Sequence, residues 1–194
     1  MSDDVVPDLY PGEPAVVRLM NTVWADRAGV HDALSTVNAL ERWAAQCGLR
    51  PFSDLDRADL EAARTLRDAA RRLAAAALDD ARPGAVADDQ AVGDALAVLN
   101  RFQASCAPEL QRAEGGFRQG WAHRDDGFDQ VLATLALETA ALLDGGAARL
   151  GACHGPGCVL YFARVPARRA WCSEGCGNRA RVARHYQRHK AGGA

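Results

Sequence analysis

Cys153-His154-Gly155-Pro156-Gly157-Cys158 and, thirteen residues further on, Cys172-Ser173-Glu174-Gly175-Cys176 decide how the last part of this chain folds. Two short cysteine pairs separated by a dozen or so residues form the layout of a four-cysteine zinc site. Each pair can sit on a tight turn so that two thiolates converge, and the segment between brings the pairs together around one ion. His154-Gly155-Pro156-Gly157 reads as such a turn, because its glycines let the backbone bend around a metal. Val159, Leu160, Tyr161 and Phe162 read as a strand, with Arg168, Arg169, Ala170 and Trp171 as its antiparallel return. Ser173 is a natural N-cap for a helix beginning near Cys176. Knuckle, hairpin and a helix supplying the last ligand make a treble-clef-like finger in which Cys153, Cys158, Cys172 and Cys176 hold one Zn2+. A segment of about 45 residues cannot bury enough apolar surface to be stable alone, so a metal is a reasonable staple.

Other uses of the cysteines fit less well. An iron–sulfur cluster also takes four cysteines, but the closely spaced runs of ferredoxins are missing. A redox disulfide would not need two symmetric pairs. Four thiolates leave no open position for a catalytic water. Cys47 and Cys106 lie far along the chain from these four and read as small core residues. His185 and His189 are four apart on the last helix and read as exposed, the cysteines having filled the metal shell.

Outward from the finger, the chain reads as mainly α. An apolar stripe through Val16, Leu19, Met20, Val23 and Trp24 predicts a first helix, and Val37, Leu40, Trp43, Ala44 and Cys47 a second that Gly48 stops. Ser35, Thr36 or Asn38 can cap the second. Asp56 caps the longest, which runs from Leu60 through Leu78 and ends by Pro83-Gly84. A fourth carries Val92 to Phe102 behind Asp88 and Asp89, and a fifth Phe128 to Leu143. Glu109 to Ala113 and Phe117 to Trp121 flank Gly115-Gly116 and predict a short β-hairpin. Asp144-Gly145-Gly146 marks the boundary between a helical domain, 1–146, and the finger, 147–194.

Charge divides the chain in the same place. Of 194 residues with a net charge of −2, positions 151–194 hold eight basic residues against Glu174 alone, a net of +7, which leaves −9 on residues 1–150. Such asymmetry suggests that one part meets a polyanion. Arg181, Arg184, His185 and Arg188 fall on one helical face, with Val182, Ala183 and Tyr186 on another side to pack on the hairpin. Arg179 and Lys190 extend the basic set. Arginine suits bidentate contacts to phosphate or base edges, so these residues are the candidate contacts to duplex DNA. The arginine and alanine excess itself reads as the mark of a GC-rich bacterial genome. The acidic start, Met1-Ser2-Asp3-Asp4, lacks the apolar core of a secretory signal, and no apolar run is long enough to span a membrane. A cytoplasmic location with reduced thiols is expected.

Residues Arg169-Ala170-Trp171-Cys172-Ser173 followed by Cys176-Gly177-Asn178-Arg179 resemble the signature of the CGNR zinc-finger family, and Cys153 and Cys158 match that family's first cysteine pair. Asn21-Thr22, then Arg27, Leu40-x-x-Trp43 and Gly48-Leu49 look like the helical ABATE domain that precedes the finger. After Phe162 the family usually has an acidic residue and, two further on, a serine or threonine. Here the chain reads Ala163-Arg164-Val165-Pro166.

The resemblance implies a stress-induced transcription regulator in bacteria. The leading reading is a DNA-binding regulator whose helical domain senses a small-molecule effector or pairs subunits as a homodimer. Polar residues beside Trp24 make a pocket near Asn21, Trp24 and Arg27 the candidate ligand site, the alternative being that Asn21 and Arg27 merely cap or pair at that helix end. The alternatives are a zinc-stapled protein-interaction module and an RNA binder. An enzyme is disfavoured, because no Ser–His–Asp or Cys–His pattern, phosphate loop or paired carboxylates stand out. Glu138 and Glu41 read as helix-face residues.

Overall fold

Local capping chemistry sets most element boundaries. The computed structural model describes residues 10–191 except 84, 86, 87, 125 and 166, with side chains left undescribed at 147 and 189–191. Residues 1–4, Gly84, Pro166 and the side chains of His189 and Lys190 therefore lie outside the described residues. α1 (Ala15–Met20) is followed by a small hairpin, β1 (Val23–Ala25) and β2 (Val30–Asp32). α2 (Val37–Gln46) starts at Thr36, whose hydroxyl accepts the Ala39 N–H. α3 (Arg57–Ala77) starts with a capping box between Asp56 and Asp59. α4 (Asp89–Gln103) is capped by Asp88. A long hairpin, β3 (Cys106–Ala113) and β4 (Gly116–His123), leads to α5 (Gly127–Asp144). β5 (Leu150–Ala152), β6 (Tyr161–Ala163) and α6 (Glu174–Ala191) complete the chain.

The core is helical. α3 packs against α4 and α5, and α1 lies against α3, α5 and β6. Leu60, Ala63, Leu66, Ala70, Leu73 and Ala74 form the buried stripe of α3, meeting Leu99 of α4 and Leu132 and Leu135 of α5. Leu150, Ala152 and Tyr161 belong to this same core. A second cluster gathers Cys153, Leu160, Phe162, Cys172 and Cys176.

Three expectations change. The first helix ends at Met20, and Val23 and Trp24 are strand residues. The Asp26 carboxylate accepts the Ala28 and Gly29 N–H groups and closes a turn, with Gly29 at φ 139°, so a local Asx turn overrides the helical period. Secondly, α3 stops at Ala77. Asp79 adopts φ 47°, and the Asp80 N–H reaches back to the Ala75 carbonyl at 2.9 Å, a Schellman ending. Thirdly, β6 pairs with β5, and positions 168–171 form no strand. The apolar Leu150 and Ala152 give β6 a partner that is already buried against the helices.

The β3–β4 hairpin is longer than its apolar pattern suggested. Cys47 and Cys106 are half-buried, and the Cys106 sulfur lies 3.3 Å from His123 Nδ1.

Candidate metal centre and basic helix

The turn between β5 and β6 carries the first cysteine pair. Cys153 N–H donates to the Leu160 carbonyl at 2.9 Å, and Cys158 N–H to the Gly155 carbonyl at 2.8 Å. A Cβ on Gly155 would stand 3.0 Å from the Cys176 Cβ and 3.2 Å from its sulfur, so the turn reaches the second pair because the side chain is absent. Ser173 accepts the Cys176 N–H at 3.2 Å and caps α6, which places Cys172 and Cys176 at the helix start. Gly177 faces the Trp171 ring, where a Cβ would come to 3.0 Å.

The four sulfurs lie within 4.8 Å of one another. Cys172 Sγ is 3.8 Å from Cys158 Sγ and 3.4 Å from Cys176 Sγ. Tetrahedral zinc with Zn–S near 2.3 Å calls for S···S separations of about 3.8 Å, so the donor set fits the ion. Its ionisation points the same way. Hydrogen bonds from Cys158 and Cys172 hold the Cys153 thiol far below its ordinary value. The Cys158 thiol is pushed up to about 12, chiefly by its bond to Cys153, and Cys172 is raised by its bonds to Cys153 and Cys158. Cysteines crowded this closely ionise unequally, and a divalent cation offsets the repulsion between thiolates. Four soft donors and a closed shell make this a structural site.

Arg179 turns back to the cluster, its Nη2 lying 3.0 Å from Cys176 Sγ, as a donor to a ligand sulfur. Arg181, Arg184 and Arg188 are exposed along α6, and among the described residues no carboxylate pairs with them. Arg184 Nε donates to the Ala180 carbonyl at 3.3 Å. Val182 and Tyr186 do not pack on the hairpin as expected. They are 46% and 71% exposed, whereas Ala180 is buried.

The sequence reading missed the seam that holds the finger. Asn21, at the end of α1, receives the Tyr161 N–H and donates to the Tyr161 carbonyl, both at 2.9 Å. Glu13 accepts the Ala163 N–H at 2.8 Å and pairs with Arg169. Arg169 also donates to the carbonyls of Ala163, Trp171 and Cys172, so this signature arginine braces the turn before Cys172. Arg82, held by Asp80, donates through Nη1 to the Cys153, Cys158 and Leu160 carbonyls. Arg71 reaches the carbonyls of Met20 and Val159.

Asn21 is buried and its amide is committed to β6. Trp24 stacks on His31 with ring centroids 4.5 Å apart, and Arg27 is exposed in the β1–β2 turn. A nearby cleft of about 340 Å3 is lined instead by Val23, Val30, Arg71, Arg72, Arg82 and Tyr161, among others. Asn21→Ala should leave the Tyr161 N–H and carbonyl buried and unpaired, at a cost of about 2–4 kcal/mol. Urea denaturation of the zinc-loaded protein checks it. Asn21→Asp should not rescue, since a carboxylate cannot donate to the carbonyl.

Residues 13–146 match the ABATE family, described as "Putative stress-induced transcription regulator", and residues 149–189 match the CGNR zinc finger. No curated protein matches the chain. Among the described residues, no helix is long and apolar enough to cross a membrane.

Proposed function

The chain belongs to the ABATE family and carries a CGNR zinc finger, and from that premise we propose that it is a transcription regulator that binds duplex DNA. In this reading Cys153, Cys158, Cys172 and Cys176 hold one zinc ion, which fixes the start of α6 in a treble-clef-like finger. The zinc is a staple and takes no part in any reaction. The observation that carries the reading is the exposed arginine face of α6, with which no carboxylate pairs among the described residues. A helix can present such a face to a groove or lie along the phosphates. Arg181, Arg184 and Arg188 are its core. Lys190 is a further candidate contact from the sequence, and Arg179 supports the face through the Cys176 sulfur.

We place the division of the chain at 146/147, with residues 1–146 as the sensing or pairing domain and 147–194 as the finger. Leu110, Phe117 and Trp121 support subunit pairing, since they stand exposed on one face of the β3–β4 hairpin. A zinc-stapled protein-interaction module is the second reading. Val182 and Tyr186 favour it, because they leave apolar surface exposed on another side of the same helix.

Fluorescence anisotropy with labelled duplex DNA tests the first reading. Arg184→Ala should weaken binding and flatten the salt dependence by about 0.9 in log–log slope if it neutralises one phosphate. If Arg184 reads a base, the variant should also lose sequence preference. An unchanged affinity and slope would move Arg184 off the interface.

A further inference from the structure

The cleft between α3, the β1–β2 hairpin and the finger carries charge that the protein does not answer. Its volume, about 340 Å3, lies at the lower end of the roughly 300–1,000 Å3 common for ligand sites. Arg71, Arg72 and Arg82 line it, with Asp68 as the acid among its lining residues. Asp68 is engaged by Arg67 at 2.8 Å, and Arg67 is also paired with Asp32 at 2.6 Å. Arg82 is paired with Asp80 at 2.6 Å. That leaves Arg71 and Arg72 without a carboxylate among the described residues.

Arg71 is the more telling of the two. Its guanidinium is half-buried over the Tyr161 ring, 5.2 Å from the centroid. Nη1 and Nη2 donate to the neutral carbonyls of Met20 and Val159, which satisfy hydrogen bonds but supply no counter-charge. A guanidinium has more N–H donors than these two carbonyls take. Burial, and then the nearby cations Arg82 and Arg67, disfavour its charged form and outweigh the opposing effects of Tyr161 and Asp68. A half-buried cation among other cations is stabilised by an anion that enters the site. Arg72 is exposed on the next position of α3 and can close on the same anion as a second fork. Val23, Val30 and the Tyr161 ring supply an apolar wall.

We propose that this cleft binds a small organic anion, with its carboxylate or phosphate group held by Arg71 and Arg72 and its apolar body against Val23 and Val30. The site adjoins the finger. Arg71 and Arg82 are also the residues that hold the Val159, Cys153, Cys158 and Leu160 carbonyls. An anion drawn to Arg71 therefore bears on how the knuckle is held. Any effect on DNA rests on the regulator reading above, whereas binding of the anion does not.

Calorimetry of the full zinc-loaded chain separates the two. The probes are inorganic phosphate, phenyl phosphate and butyrate, each titrated at matched ionic strength in chloride. Phosphate also meets the α6 arginines, so the same titrations are run on the Arg181→Ala, Arg184→Ala, Arg188→Ala triple variant. At least one probe should show saturable one-to-one binding in both proteins. Arg72→Ala, at an exposed position, should weaken it at least tenfold with zinc content unchanged. Arg71→Lys, which keeps the charge but loses the fork, should do the same. Preference for butyrate or for the phosphates identifies the anionic group. Absence of saturable binding by all three probes would overturn the proposal, as would binding that survives Arg72→Ala or disappears only in the triple variant. Loss of DNA binding in the triple variant, with anion binding kept, leaves both readings standing. DNA binding that persists there sinks the α6 reading alone.

Discussion

Cys172→Ser is expected to leave the purified chain without stoichiometric zinc and to melt the finger at 25 °C. Cys172 sulfur is the hub of the cluster, within 3.8 Å of Cys158 Sγ and 3.4 Å of Cys176 Sγ. Structural zinc contributes on the order of 10 kcal/mol of binding free energy in small fingers, comparable to the whole net stability of a domain. The second core cluster consists mostly of the cysteines with Leu160 and Phe162, too little apolar surface to replace that contribution. Damage should also reach the helical part, because Leu150, Ala152 and Tyr161 are shared with its core and Asn21 is bonded to Tyr161. Elemental analysis should fall from one zinc per chain to background, α6 should become sensitive to protease, and the melting temperature of the remainder should drop. Retention of one tightly bound zinc with a protected α6 would remove Cys172 from the ligand set.

Asp80→Ala should cost about 3–5 kcal/mol, the usual penalty for removing one partner of a buried ion pair. Asp80 has no exposed side-chain surface, and its carboxylate takes Arg82 Nε at 2.9 Å and Nη2 at 2.6 Å. The Tyr161 hydroxyl donates to the same carboxylate at 3.2 Å. Without Asp80, the Arg82 cation would stay in the seam with only carbonyls for partners. Arg82 Nη1 would lose its aim at the knuckle, so zinc retention against a chelator should weaken as well.

Acid provides a second readout. Burial alone would raise the Asp80 carboxyl, but hydrogen bonds from Arg82 outweigh it and hold the group below the ordinary value of 3.8. A depressed carboxyl contributes stability that is present above its unfolded pKa and lost as pH falls through the folded one. The gap between wild type and Asp80→Ala should therefore be full near neutrality and close only below the ordinary carboxylate range. Equal urea midpoints at pH 7 would show that the pair contributes nothing.

Whether a feature could be read from the sequence depended on how local its determinants are. The cysteine cluster was legible because each pair closes within one turn and the residue types are specific to metal binding. The caps at Thr36, Asp56 and Asp88 were legible for the same reason. The helical period through Val23 and Trp24 misled, because the Asx turn at Asp26 competes locally and the period carries no information about it. Strand partners were harder. Val159 to Phe162 marked a strand, but its choice of Leu150 to Ala152 depends on which segment is already buried in the helical core. The seam was out of reach. Asn21 meets Tyr161 across 140 positions, and Arg82 meets the knuckle across more than 70, so no local pattern singles them out. Asn21 stands out in the family resemblance, but nothing local distinguishes a ligand contact from a side chain that pairs with its neighbours, and its amide is bonded to a neighbouring strand.

Whether the zinc-stapled helix meets nucleic acid decides between a DNA-binding regulator and a protein-interaction module. One titration asks this most directly, that of the zinc-loaded chain against duplex DNA at a series of salt concentrations. With Arg179 turned to the Cys176 sulfur, Arg181, Arg184 and Arg188 remain, among the described residues, as the proposed phosphate contacts. Three neutralised phosphates give a log K against log salt slope of about −2.7, steeper by about 0.9 if Lys190 joins them. The account predicts that slope, together with loss of binding when the zinc is removed. Affinity that does not change with salt, or no binding at low salt by fully zinc-loaded protein, would contradict it.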